Sequence, residues 1–269
     1  KNLMRNIQSL RANINPYAEP TSLYFLKKMK YLSCLNVKIR SNECLNLLSQ
    51  CIYLFRSKLK KLSIDLGEEI EVPQFLRLSK ALEKQKDLLR LKLRIITRRQ
   101  THDIHNNYLP WLAVPIANFT SIRVLDLNLF GFEKIKPENT DFIPSFSCLI
   151  HLQALKLSGL DTGYIKDTYA TLESLFKVLE KLPNLSKIYL EKIYYLEGDA
   201  CKFLIPFSRL KNLCDIAFGL KSATPIKPHN FKILATSFTC LSRLARLGLT
   251  LSYWGYFIKC LLEFNESTK

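Results

Sequence analysis

The chain has 269 residues, 48% hydrophobic and 23% charged, which excludes a disordered chain, because disorder needs low hydrophobicity with high charge. Only 8 residues are Gly, too few to favour a phosphate-cradling loop, and no run of 18 apolar residues predicts a membrane-spanning helix. The net charge of +17 falls mostly in residues 1–100, where 21 basic side chains face 8 acidic ones, and this points to an acidic partner.

In chain order, Pro16 to Lys30 reads as the helical half of a preceding repeat. From Leu32 onward one pattern recurs eight times: L-x-x-L-x-L, with Ile, Val or Phe allowed at each L. It appears as Leu32/Leu35/Val37, Leu59/Leu62/Ile64, Leu88/Leu91/Leu93 and Ile122/Leu125/Leu127. It continues as Leu152/Leu155/Leu157, Leu185/Ile188/Leu190, Leu213/Ile216/Phe218 and Leu244/Leu247/Leu249, with successive starts 27 to 34 residues apart. The L-x-L alternation predicts a short strand with one buried face.

Helical stretches are predicted at Glu43 to Phe55, Pro73 to Lys84, Thr168 to Lys181, Ala200 to Ser208 and Asn230 to Phe238. Leu172, Leu175, Phe176 and Leu179 form the stripe that such a helix buries. Residues 97–121 and 128–148 hold Pro110, Pro115, Pro137 and Pro144 and read as loops or irregular repeats. A further apolar residue precedes several motifs by three positions: Phe119, Leu149, Leu182, Leu210 and Leu241. Ser145-Phe146-Ser147-Cys148-Leu149 and Ser237-Phe238-Thr239-Cys240-Leu241 match closely enough to indicate internal homology. Tyr253 to Ile258 reads as an aromatic cap on the last repeat.

This pattern resembles the leucine-rich repeat family, and within it the ribonuclease-inhibitor-like class, over roughly residues 23 to 251. The resemblance implies an α/β solenoid: a horseshoe with about eight parallel strands on the concave face and helices on the convex face. It would be a single domain, with a partial N-terminal repeat at 1–28, repeats at 29–251 and a C-terminal cap at 252–269. The Asn or Cys usual in the family three residues after the last L is missing. Arg40, Gly67, Ile96 and Phe130 stand in the first four of those places. The usual ladder along that turn is therefore not expected.

Eight cysteines include no C-x-x-C pair. They read as reduced core thiols of an intracellular protein, in the cytoplasm, nucleus or an organelle, and no disulfide is expected. His102, Asp103 and His105 cluster without a further ligand nearby in sequence, so no metal site is assigned. No G-x-S-x-G, H-E-x-x-H, G-x-x-x-x-G-K-[ST] or G-x-G-x-x-G occurs. The expectation is a chain that is not an enzyme and has no cofactor and no small-molecule substrate.

The residues between the L positions face the concave side, and on the first three strands five of nine are Lys or Arg. The candidate partner-binding patch is Lys38, Lys61, Arg90, Lys92 and Arg94, extended by Arg98 and Arg99. Arg90, Lys92 and Arg94 alternate along one strand, so their mutual repulsion predicts an anionic partner. Aromatics are absent between these cations, which weakens a single-strand nucleic-acid reading. The expected function is a non-catalytic protein–protein interaction scaffold within a larger intracellular assembly. Two alternatives stand beside it: a component of a ribonucleoprotein complex that touches RNA phosphates, and a substrate receptor or regulator of another enzyme.

Overall fold

The computed structural model describes residues 7–13, 20–29, 31–55, 59–67, 70–96, 109–130, 137–159, 165–194, 206–221 and 236–251. Every L-x-x-L-x-L segment forms a strand, and the strands lie side by side in chain order in one open, all-parallel sheet. In that order come β1 (Ser9–Asn13), β2 (Cys34–Ile39), β3 (Lys61–Leu66), β4 (Arg90–Ile96) and β5 (Val124–Phe130). β6 (Ala154–Ser158), β7 (Lys187–Tyr194), β8 (Asp215–Lys221) and β9 (Arg246–Leu251) complete it. Between strands lie α1 (Asn42–Phe55), α2 (Val72–Leu82), α3 (Leu109–Asn118) and α4 (Ile165–Leu179), with 3-10 segments at Pro20–Lys28, Pro137–Cys148 and Pro206–Arg209.

Parallel crossovers are right-handed in nearly all cases. When each step adds its strand on the same side of the last, every connection falls on one face of the sheet. All-parallel sheets elsewhere usually have both faces covered. Here the strands alternate buried and accessible residues, as in β2, β3 and β4, so only the helix side is packed. The repeated L positions of the first seven motifs form the core, while Leu247 of the last is 43% exposed. Leu35, Leu62, Leu91, Leu125 and Leu155 are register neighbours on five successive strands, and all are buried.

The backbone repeats as strictly as the side chains. The carbonyl before each strand accepts two N–H bonds from the next repeat. Gln8 O takes Ser33 N at 2.9 Å and Cys34 N at 3.0 Å, Ser33 O takes Lys60 N and Lys61 N, and the same pair recurs up to Cys214 O with Ala245 N and Arg246 N. The apolar residue three before each motif closes a tight turn: Leu152 N donates to Leu149 O at 2.9 Å and Leu213 N to Leu210 O at 3.0 Å. The internal homology extends to side chains. Phe146 and Phe238 are buried, while Ser147 Oγ donates to Pro144 O at 2.7 Å and Thr239 Oγ1 to Thr236 O at 2.8 Å. Asparagines one residue before the motif also bridge repeats: Asn184 Nδ2 donates to Ile150 O and Asn212 Nδ2 to Pro183 O.

The sheet has nine strands where about eight were expected, because Ile7, Leu10 and Ala12 keep the spacing with Ala in the last place, and β1 pairs with β2 through Leu10–Leu35. Of the two Pro-holding segments expected as loops or irregular repeats, Pro137–Cys148 is an irregular run of 3-10 turns. Residues 109–118 form a helix despite Pro110 and Pro115. Pro110 falls in the first turn, where an N–H would be unpaired anyway. Pro115 removes the donor that Trp111 O would otherwise receive, and Ser79 Oγ on α2 supplies it at 2.5 Å. Ser79→Ala is therefore expected to cost about 1–3 kcal/mol, the penalty of an orphaned carbonyl. Urea denaturation checks it, and a cost near zero would sink the explanation.

The expected cap at 253–258 and the histidines at 102 and 105 lie outside the described residues, as do residues 200–205 and 230–235 of the two last expected helices.

Candidate functional site

The uncovered sheet face presents three rows of side chains running across the strands. The first row sets Lys61 beside Arg90, the second sets Lys92 beside Asp126 and Lys156, and the third sets Lys38 beside Asp65 and Arg94. Neighbouring strands lie roughly 4.8 Å apart, so row partners interact more closely than residues two apart on one strand.

Lys38, Lys61, Arg90, Lys92 and Arg94 all project onto this one face, while Arg98 and Arg99 lie outside the described residues. The expected uniform patch, however, is divided. Arg94 Nη1 lies 3.7 Å from Asp65 Oδ2, and Lys92 Nζ lies 3.8 Å from Asp126 Oδ2. The repulsion expected along β4 is therefore relieved sideways by carboxylates on β3 and β5. Lys61 and Arg90 remain: adjacent cations whose row holds no carboxylate until β8. The signal for Asp65 and Asp126 was present in the sequence, since aligning the motifs puts them at the repeat positions of Arg94 and Lys92.

Farther along, the face is knit together. Lys156 Nζ meets Glu191 Oε1 at 2.6 Å, and Ser158 Oγ donates to Glu191 Oε2 at 3.2 Å. Arg246 Nη2 and Tyr189 Oη both reach Asp215 Oδ2 at 2.6 Å. Burial and the Asp215 hydrogen bond raise the Tyr189 pKa. Burial also raises that of Asp126, against the pull of Lys92, Lys156 and Arg90. The native state thus holds the Asp126 proton more tightly than the unfolded chain, so this group's contribution to stability falls as pH rises through the window above 3.8. Asp126→Asn is expected to flatten that fall. Chemical denaturation between pH 3.5 and 7 measures it, and an unchanged pH profile would contradict the assignment.

The six described cysteines are all free, but they are not uniformly core residues. Cys44 and Cys51 are buried, and burial pushes the Cys51 thiol up to about 11 despite Lys27. Cys148 and Cys240 are exposed, because in S-F-x-C-L the Phe and Leu turn inward three apart and the Cys between them turns out. Under native alkylation Cys148 and Cys240 are expected to label fast and Cys44 and Cys51 to resist. Mass spectrometry showing the reverse order would count against this packing.

Among the described residues no group of three or more His, Cys, Asp or Glu gathers as a metal site, and no helix is long and apolar enough to cross a membrane. No protein-family model matches the chain, and no curated protein matches it.

Proposed function

We propose that this chain is a leucine-rich-repeat scaffold of the horseshoe type, non-catalytic and intracellular, that holds an acidic protein partner on its uncovered sheet face. The fold reading is supported by the eightfold backbone step and the in-register Leu ladder. A reducing compartment fits the six free cysteines. The observation that carries the binding reading is the adjacent Lys61–Arg90 pair, which has no carboxylate beside it in its row. Two adjacent cations without a carboxylate between them on an open face attract anionic groups and speed their arrival. Lys38 on β2 and the partly neutralised Lys92 and Arg94 flank them. Arg98 and Arg99 belong to the same proposal as its continuation beyond β4.

The test is quantitative capture from native cell extract, with and without nuclease, by wild type, Lys61→Ser/Arg90→Ser and Lys92→Ser/Arg94→Ser. The reading expects acidic proteins that survive nuclease and are depleted most by the first double variant. Capture that vanishes with nuclease would replace it with the ribonucleoprotein reading. Equal capture by all three would make the face a solvated surface.

A further inference from the structure

The helix side of the first repeats carries a groove that the sheet-face reading does not use. It lies between the 3-10 segment Pro20–Lys28, α1 and α2, with a volume of about 480 Å³. Lys27, Arg77 and Lys80 line it, together with Tyr53 and Leu54, and no carboxylate does. Arg77 Nη1 is held at the rim by Asn46 Oδ1 at 2.9 Å. Among the described residues none of the three cations has an ion-pair partner.

Tyr53 and Leu54 in its lining are 50% and 56% exposed. Large apolar side chains left exposed together in a groove mark an interaction site, and the charge of this one specifies the sign of what it binds.

We propose that this groove docks an acidic segment of a protein partner. One bulky apolar side chain sits beside Tyr53 and Leu54, and flanking carboxylates meet Lys27, Arg77 and Lys80. Burying the apolar side chain contributes roughly 25 cal/mol per Å² removed from water, and the carboxylates supply charge-assisted hydrogen bonds. Single-stranded nucleic acid fits less well. It needs free ring faces in succession, whereas Tyr53 is the one aromatic residue in the described lining and Lys27 Nζ already covers the Tyr24 ring at 4.7 Å. The site is separate from the sheet face, so each reading can fail alone.

A random dodecapeptide display library panned on the full chain tests it. Enriched peptides are then measured by fluorescence anisotropy against wild type, Leu54→Ser/Lys80→Glu, Lys27→Glu and Lys61→Ser/Arg90→Ser. The expected result is peptides with two or more carboxylates around a Leu, Phe or Trp. They should bind both groove variants at least tenfold more weakly and the sheet-face variant unchanged. If the double variant melts early, Lys27→Glu alone decides, since its side chain is exposed. Enriched peptides lacking acid or apolar residues, or binding to the groove variants as tight as to wild type, would overturn the proposal. So would a twelve-nucleotide oligouridylate that binds the groove tenfold more tightly than any peptide.

Discussion

Phe146→Ala is expected to destabilise the protein by about 3–5 kcal/mol, the cost of an aromatic cavity that the surroundings only partly refill. Phe146 is fully buried, with the Phe142 ring edge-on at 5.7 Å between centroids. It lies one turn before Leu149, whose carbonyl begins the turn into the next strand. Its loss therefore opens a void in the packing between α3 and α4 and loosens the approach to β6. The equivalent Phe238→Ala should cost less, because Phe238 keeps 8% exposure while Phe146 is fully buried. Urea denaturation of both variants measures the difference. A cost for Phe146→Ala under about 1 kcal/mol would mean that the S-F-x-C-L segment is not a core element.

Lys61→Ser/Arg90→Ser is expected to leave folding unchanged and to weaken the captured acidic partner at least tenfold, which is about 1.4 kcal/mol. Both side chains are exposed and lie between buried L positions, so neither supports the core. Hydrogen bonds to charged groups contribute roughly 1.5–3 kcal/mol each, so the loss of two reaches the threshold even if one is partly replaced by water. The salt dependence should weaken with it, since screening acts on the pair that is removed. Lys92→Ser/Arg94→Ser should act differently. It removes the ion-pair partners of Asp126 and Asp65, leaving Asp126 only the weaker pull of Lys156 and Arg90. Its effect on stability should exceed that of the first variant, although exposed ion pairs contribute only about 0–1 kcal/mol each. Binding titrations at two salt concentrations separate the cases. An unchanged affinity and salt slope for the Lys61/Arg90 variant would remove the sheet face from consideration.

The sequence by itself determined eight of the nine strands, their order and most of their inward residues. The spacing of Leu35, Leu62, Leu91, Leu125 and Leu155 is a local property of each repeat, and only neighbouring strands can bury such a ladder. It also placed Lys38, Lys61, Arg90, Lys92 and Arg94 on one face, because side-chain direction in a strand follows period two. Tertiary structure decided what depends on neighbours in space. The cross-strand register paired Lys92 with Asp126 and Arg94 with Asp65, and among the described residues it left Lys61 and Arg90 with no carboxylate beside them in their row. Ser79, 32 residues from Trp111, supplied the hydrogen bond that lets α3 hold Pro115. The turn geometry sent Cys148 and Cys240 outward from apolar surroundings. The groove around Tyr53 and Leu54 exists only where α1 packs between α2 and the 3-10 segment. A repeat's own residues specify which way each side chain points. What that side chain meets is set by the next repeat, so aligning the repeats names the neighbour while only the folded register fixes the contact.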